Sequence, residues 1–218
     1  MPVQDYMTKD LITVDEGASI LKASKLMKQN NISHLLVMRQ GRLVGIISDR
    51  ELKEATPSKA TTLDIHEMYY LLDQVTVQSL MAKKLYTITP EATVEKAAAI
   101  MLQHNISALP VVDENGALQG IIAKGDIFRA FVCISGINQA PMALGLLLKD
   151  ESGSIKEVTD VIKAHGGQIG SILTGYEGAP DGFRKVFIRA RQVRDEPALR
   201  QELESNHKIL YFIHESLD

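Results

Sequence analysis

The 218-residue sequence has little of several features that mark particular classes of protein. Its single cysteine, Cys133, excludes an intramolecular disulfide bond and is typical of a protein in a reducing compartment. The formal net charge is only −3 and no block of like charges occurs, so a surface that neutralises nucleic-acid phosphates is not expected. No apolar run approaches membrane-spanning length, and residues 1–10 do not have the pattern of a secretory signal. We therefore expect a cytoplasmic protein that binds neither nucleic acid nor membranes.

The sequence also lacks the side-chain patterns of common enzymes. Its six histidines do not have the spacing of metal ligands, and no Ser–His–acid or Cys–His constellation is visible. The segment from Ile65 begins like a zinc-protease helix, but Tyr70 stands four positions after His66, where the second histidine would be required. We expect a protein that is not an enzyme and requires no metal or cofactor.

What the sequence does contain is an internal repeat. Residues 7–38 align with residues 81–112 at a constant offset of 74 positions. One additional residue in the second copy raises the offset to 75, after which GIISDREL (45–52) falls on GIIAKGDI (120–127). A match of this length indicates two copies of one structural unit.

Each copy has the pattern of a β-α-β-β-α unit. Ser19 and Thr93 are expected helix N-caps, because their hydroxyls can accept a hydrogen bond from a backbone N–H group of the first turn. The apolar residues behind them recur at helical spacing, and each helix is expected to end at an asparagine, Asn31 or Asn105, which tolerates the left-handed conformation. Two apolar strands joined by a hairpin turn follow, and then a second helix. Two such units can pack face to face as one domain with pseudo-two-fold symmetry.

The last part of the chain has a different order of elements. An apolar strand around Leu144 precedes a helix with Ser154 as its expected cap, and residues 168–191 form a predicted hairpin. A helix with Pro197 in its first turn and a final strand complete the order β-α-β-β-α-β of a ferredoxin-like sandwich. The predicted fold class is mixed α/β with α+β character. The predicted sections are repeat 1 (1–55), a linker with a short helix (56–76), repeat 2 (77–135) and the ferredoxin-like domain (142–218).

Both repeats resemble CBS domains, named after cystathionine β-synthase, tandem pairs of which form regulatory nucleotide-binding modules. The resemblance rests on NISHLLVM and GIISDREL in the first copy and on NISALPVVDENGALQGIIAKGDI in the second. Residues 142–218 resemble an ACT domain, a small regulatory fold that often binds amino acids and commonly dimerises through its sheet. The order CBS, CBS, ACT resembles that of the acetoin-utilisation protein B family, although no residue here relates to acetoin itself. The resemblance implies a homodimer that regulates a metabolic enzyme.

The resemblance further implies two clefts for an adenine nucleotide, such as AMP, ATP or NAD(H). In CBS pairs that bind adenosine derivatives, an acid after the second strand accepts hydrogen bonds from both ribose hydroxyls, and a hydroxyl three positions earlier approaches the phosphate. These positions and the neighbouring cations are Ser48, Glu51 and Arg50 in the first copy and Ala123, Asp126 and Lys124 in the second. Adenine would lie against the residues around the start of the first hairpin strand, called the strand entry below. These residues are Ile32, Ser33 and His34 in one copy and Ile106, Ser107, Ala108 and Pro110 in the other.

A structural interpretation of the same residues is also open. Ser48 and Glu51 have the spacing of a capping box, in which each side chain satisfies a backbone N–H group. Ala123 cannot contribute to such a box, which favours Asp126 as a ribose acid. Glu51 is longer than the family's usual aspartate, and the second copy lacks the hydroxyl, so we expect one good cleft and one weak or empty one. The alternative is a partner-docking module whose clefts are degenerate.

The ACT-like domain has a candidate effector loop at KDESGS (149–154). By resemblance, Gly153 would permit close approach of a ligand, and the helix N-terminus would attract a carboxylate. Alternatively, the glycine only permits a tight turn from the strand to the helix. Ser152 stands where the family usually has proline, which argues against an amino-acid ligand. The candidate residues of this loop are Asp150, Ser152, Gly153 and Ser154.

Overall fold

The structure, a computed structural model, describes residues 1–56 and 64–215. Most of the predicted polar linker ATPSKATT (55–62) lies outside the described residues. The chain divides into two compact units, Met1–Phe128 and Arg129–Asp218. None of the helices in the described ranges is both long and apolar enough to cross a membrane. The section boundaries inferred from the sequence remain predictions.

The first unit contains both repeats. Its strands are β1 (Thr13–Asp15), β2 (His34–Arg39), β3 (Arg42–Ser48), β4 (Ala108–Val112) and β5 (Leu118–Ala123). Its helices are α1 (Ile20–Asn30), α2 (Asp49–Glu54), α3 (Ile65–Gln74), α4 (Val77–Leu80) and α5 (Val94–Gln103), with a short 3₁₀ turn at Val3–Asp5. Helix α6 (Lys124–Ser135) begins in this unit and extends past its boundary.

Each repeat has its own small sheet, and the two sheets differ in one strand. In the first repeat β1 pairs in parallel with β2, and β2 pairs antiparallel with β3, whereas in the second β4 pairs only with β5 among the described strands. The predicted first strand of the second repeat is reduced to a bridge between Ile88 and Val111. In the first repeat the ladder continues through the N–H group of Glu16, which donates to Met38 O at 3.1 Å. Pro90 occupies the equivalent position and has no N–H group, so the ladder stops there.

The helix signals of both repeats act as predicted, except that α5 has His104 as its C-cap, one residue before the expected Asn105. The hydroxyls of Ser19 and Thr93 each accept a hydrogen bond from the backbone N–H three residues later, at 3.3 and 3.2 Å. Asn31 and Asn105 adopt the left-handed conformation, with φ of 52° and 50°. The apolar stripe is buried in both copies, through Ile20, Ala23 and Met27 in α1 and Val94, Ala97 and Met101 in α5.

The two repeats exchange their first segments. Thr8, which precedes the first repeat's strands, pairs with Ile121 in β5 of the second repeat through backbone hydrogen bonds of 2.9 and 3.0 Å. Ala82, its equivalent in the second copy, pairs with Ile46 in β3 of the first repeat through bonds of 2.9 and 3.2 Å. The exchange ties each repeat to the core strands of the other.

Gly45 and Gly120 make this exchange possible. A Cβ atom at Gly120 would lie 2.7 Å from Met7 Sδ and 3.0 Å from Thr8 O, and one at Gly45 would collide with the sulfur of Met81. The repeated glycine therefore marks the place where a segment of one repeat crosses closely over a strand of the other.

The second unit has the predicted order β-α-β-β-α-β. Its elements are β6 (Met142–Lys149), α7 (Ser154–Ala164), β7 (Gln168–Gly175), β8 (Phe183–Arg191), α8 (Glu196–Asn206) and β9 (Lys208–His214). The strands form one antiparallel sheet in the order β7-β8-β6-β9. The predicted cap of α7 is wrong by one residue, because Gly153 is the N-cap and Ser154 is the first helical residue. The hydroxyl of Ser154 donates to Glu151 O at 3.1 Å instead of capping the helix.

Two candidate ligand clefts between the repeats

Two clefts of unequal size lie between the repeats of the first unit. The larger cleft, which contains Asp126, has a volume of about 380 Å³, and the smaller cleft, which contains Glu51, has a volume of about 180 Å³. Small-molecule sites in proteins commonly have volumes of about 300–1,000 Å³. Only the larger of these two clefts falls within that range.

In each cleft the acid of one repeat lies opposite the strand entry of the other. The predicted residues that line the larger cleft are Ile32, Ser33, His34, Ser107, Ala123, Lys124 and Asp126. Those that line the smaller cleft are His34, Ser48, Arg50, Glu51, Ile106, Ser107, Ala108 and Pro110. All the residues named for nucleotide binding thus line one of the two clefts, in a pairing that crosses the repeats.

The exchanged segments also form walls of the clefts, which was not predicted from the sequence. The segment before β1 lines the larger cleft through Thr8, Asp10, Leu11 and Ile12. Its equivalent lines the smaller cleft through Ala82, Lys84, Leu85 and Tyr86. The available signal was the repeat alignment itself, which begins at this segment and matches these residues at the offset of 74.

Each acid accepts a hydrogen bond from the residue that directly precedes the helix in which the acid lies. Glu51 Oε2 accepts from the N–H group of Ser48 at 2.7 Å and also from the Ser48 hydroxyl. Asp126 Oδ2 accepts from the N–H group of Ala123 at 2.8 Å. The loss of the hydroxyl at Ala123 therefore does not remove the capping contact, because the backbone N–H group supplies it. A carboxylate has about four acceptor positions, so this contact is compatible with ribose binding.

His34 lies at the boundary between the clefts and lines both. Its Nε2 atom is 2.7 Å from the hydroxyl oxygen of Ser107, which also lines both clefts. Burial lowers the pKa of His34 from its ordinary value, and the nearby charge of Glu51 opposes this shift. The equivalent of His34 in the second repeat is Ala108, so this contact departs from the pseudo-symmetry of the module.

Two cations line the smaller cleft. Lys84 Nζ lies 5.2 Å from the ring centroid of Tyr86, and the interaction with the Tyr86 side chain raises the pKa of Lys84. The Tyr86 ring stacks on His104 with a centroid separation of 3.8 Å. Arg50 pairs with Glu54 on the exposed face of α2 at 2.8 Å, a type of contact that contributes little to stability. The cleft therefore has two positively charged side chains at its edge.

The candidate effector loop of the second unit is held by Arg184. This side chain donates to the Ser154 hydroxyl at 3.0 Å, and its Nε atom lies 3.5 Å from Asp150 Oδ1. Gly153 adopts the left-handed conformation with φ of 96°, as a tight turn into α7 requires. Protein contacts thus account for the loop's polar side chains at two of the four candidate positions. In the described ranges of the chain, no group of three or more His, Cys, Asp or Glu residues could hold a metal ion.

Comparison with known proteins identifies the repeats. The CBS domain family matches residues 3–58 and 77–133, slightly more than half of the chain. The chain is 34% identical over 125 residues to the CBS domain-containing protein YhcV of Bacillus subtilis, in an alignment that covers 57% of this chain and 81% of YhcV. It is 37% identical over 128 residues to homoserine O-acetyltransferase of Methanococcoides burtonii, but this alignment covers only 23% of that protein. The activity of the acetyltransferase is therefore not carried over to this chain.

A solved structure supports the same assignment. The CBS domain pair of protein MJ0100, in complex with 5′-methylthioadenosine and S-adenosyl-L-methionine, matches with a TM-score of 0.51 and 29% sequence identity. The match covers 61% of this chain and 96% of that domain pair. The repeat predicted from the sequence is thus a tandem CBS pair, and the chain belongs to the CBS domain family.

Proposed function

We propose that the first unit is a regulatory module that senses an adenine nucleotide, such as AMP, ATP or NAD(H), in the clefts between its CBS repeats. The observation that carries the proposal is the larger cleft, in which Asp126 lies opposite Ile32, Ser33 and His34. The related MJ0100 pair, solved with two adenosine derivatives, supports an adenosine ligand. The protein acts by binding and not by catalysis.

The ribose acid is Asp126, which accepts hydrogen bonds from both ribose hydroxyls side by side. Adenine lies against the strand entry at Ile32, and Lys124 lines the same cleft as Asp126, within the wall that the 5′ group of the ligand meets. Because the exchanged segments bring both repeats to each cleft, a bound ligand stabilises one relative arrangement of the repeats. Regulation then follows as a shift of population toward that arrangement, which a partner enzyme detects.

Thermal unfolding with a panel of ligands tests this proposal. A ligand at a hundred times its Kd stabilises the folded state by about 2.7 kcal/mol per site, which corresponds to several degrees in Tm. We expect AMP, ATP, NAD⁺, NADH or S-adenosylmethionine to raise the Tm of the wild type, and the part of the increase that comes from the larger cleft to disappear in Asp126→Ala. The unliganded Tm of the variant is measured in parallel, because the substitution also removes the contact with Ala123. No increase with any of these compounds would overturn the proposal.

A second candidate function is a partner-docking module with degenerate clefts. It is favoured by the Ser48–Glu51 contact, which by itself explains the acid of the smaller cleft as a helix cap. This alternative predicts that Glu51→Ala lowers the free energy of unfolding, while none of the nucleotides changes the Tm of either form.

We further propose that the second unit is an ACT domain, as the order of its elements supports, and that the chain is related to the acetoin-utilisation protein B family. The contacts of Arg184 with Asp150 and Ser154 favour oligomerisation over amino-acid binding, because both polar side chains already have protein partners. Light scattering at micromolar concentration is expected to give a homodimer of twice the 24.0 kDa chain mass. A monomer under these conditions would contradict the assignment of oligomerisation to this unit.

A further inference from the structure

The two clefts are built from equivalent positions but differ in charge. Position 10 in the larger cleft is aspartate, and its equivalent in the smaller cleft is Lys84. Position 125 is glycine, and its equivalent is Arg50. The charged side chains lining the larger cleft are Asp10, Lys124 and Asp126, and those lining the smaller cleft are Arg50, Glu51 and Lys84. Their formal charges sum to −1 in the larger cleft and +1 in the smaller one.

The difference in cleft charge affects binding of the 5′ substituent, which is the part of an adenosine ligand that varies most in charge. A 5′-phosphate carries about −1.5 to −2 at neutral pH, whereas a 5′-thioether is neutral and a 5′-sulfonium is positive. In the larger cleft a phosphate meets two carboxylates and one ammonium group, and Ala123 offers no hydroxyl. In the smaller cleft it meets the ammonium group of Lys84, one carboxylate and the guanidinium group of Arg50, which also pairs with the exposed Glu54. Coulomb interactions therefore favour opposite classes of 5′ substituent in the two clefts.

We propose that the clefts sort adenosine derivatives by the charge of the 5′ group, an inference that rests on the proposed adenosine-binding function. The larger cleft selects a neutral or cationic 5′ substituent, and the smaller cleft selects a 5′-phosphate. The smaller cleft, at about 180 Å³, encloses less of its ligand and binds it more weakly. Asp10 and Lys84, which correspond to each other in the repeat, are the residues that determine the difference.

The larger cleft is tested alone in a Glu51→Ala background, by calorimetric titration at low ionic strength, where surface charges are weakly screened. The probes are 5′-methylthioadenosine and AMP, which share adenosine and differ in the charge of the 5′ group. We expect 5′-methylthioadenosine to bind about three- to tenfold more tightly than AMP. Asp10→Lys, which introduces the residue of the other repeat, is expected to raise AMP affinity several-fold and to change 5′-methylthioadenosine affinity less than twofold.

The matched control is Asp5→Lys, which makes the same charge change at an exposed residue that lines neither cleft. It is expected to leave the ratio of the two affinities unchanged. The reciprocal experiment uses Lys84→Asp in an Asp126→Ala background and is expected to weaken AMP binding at the smaller cleft several-fold.

The outcomes separate this inference from the function on which it rests. If AMP binds the larger cleft at least as tightly as 5′-methylthioadenosine, or if Asp10→Lys leaves the ratio unchanged, the sorting is wrong while adenosine binding stands. If neither compound binds the wild type, the proposed adenosine-binding function fails and the sorting fails with it.

Discussion

At the scale of single residues, His34 shows how far the sequence leads. The sequence identified His34 and Ser107 as residues beside adenine in separate copies. It did not indicate that they contact each other at 2.7 Å, because that contact depends on how the repeats pack. The same holds for Asp126. The sequence showed that Ala123 has no hydroxyl, but it did not show that the backbone N–H group of Ala123 donates to the Asp126 carboxylate.

The lowered pKa of His34 predicts a dependence of stability on pH. Because burial disfavours the protonated ring in the folded state, the unfolded chain binds this proton more readily. The contribution of His34 to the free energy of unfolding is therefore complete above about pH 6.5 and is lost as the pH falls below this value toward the lowered folded-state pKa.

We expect the Tm of wild type to fall more steeply than that of His34→Gln between pH 7.5 and about pH 5. His214→Gln is the control for removal of an exposed imidazole, since the His214 side chain is 58% exposed and its Nδ1 atom lies 3.4 Å from Glu196 Oε1. Parallel pH profiles for wild type and His34→Gln would show that the folded protein does not disfavour protonation of His34.

At the scale of secondary-structure elements, most of the fold was predictable from local signals. The caps at Ser19 and Thr93 and the left-handed residues at Asn31 and Asn105 were read directly from the sequence. The first strand predicted for the second repeat is reduced to a single bridge in the structure, and Pro90 was the available signal against a continued ladder. The exchange of first segments was also missed, because it is a tertiary arrangement that leaves only indirect traces in sequence.

The close crossing at Gly120 gives a prediction of stability at this scale. Gly120→Ala places a Cβ atom 2.7 Å from Met7 Sδ and 3.0 Å from Thr8 O, and the backbone carbonyl cannot move aside without breaking the pairing with Ile121. Overpacking of this kind costs about 1–3 kcal/mol. We expect denaturant unfolding to show this loss for Gly120→Ala but not for Gly125→Ala, since a Cβ at Gly125 has nothing within 4 Å. Equal free energies of unfolding for the two variants would mean that Met7 and Thr8 leave room for a Cβ atom at position 120.

At the scale of the whole molecule, the sequence predicted a duplicated module followed by a β-α-β-β-α-β unit, and the structure shows both. Resemblance to CBS domains also led to residues that line the clefts. Which acid faces which strand entry, and how large each cleft is, could not be predicted, because both depend on the exchange between repeats. Asp10 and Lys84 already differ in charge in the sequence. This difference could be related to ligand binding only once the structure showed that both residues lie in the cleft walls.

The most direct test of the account is whether the carboxylate of Asp126 recognises the ribose of a bound ligand. Adenosine and 2′,3′-dideoxyadenosine are titrated against wild type and Asp126→Asn, so that hydroxyls and carboxylate are removed separately and together. Because hydrogen bonds to a charged group contribute about 1.5–3 kcal/mol, we predict that removal of the hydroxyls weakens binding at least about tenfold in wild type and hardly at all in Asp126→Asn. An equal loss in both proteins would contradict the account and leave Asp126 as a helix cap.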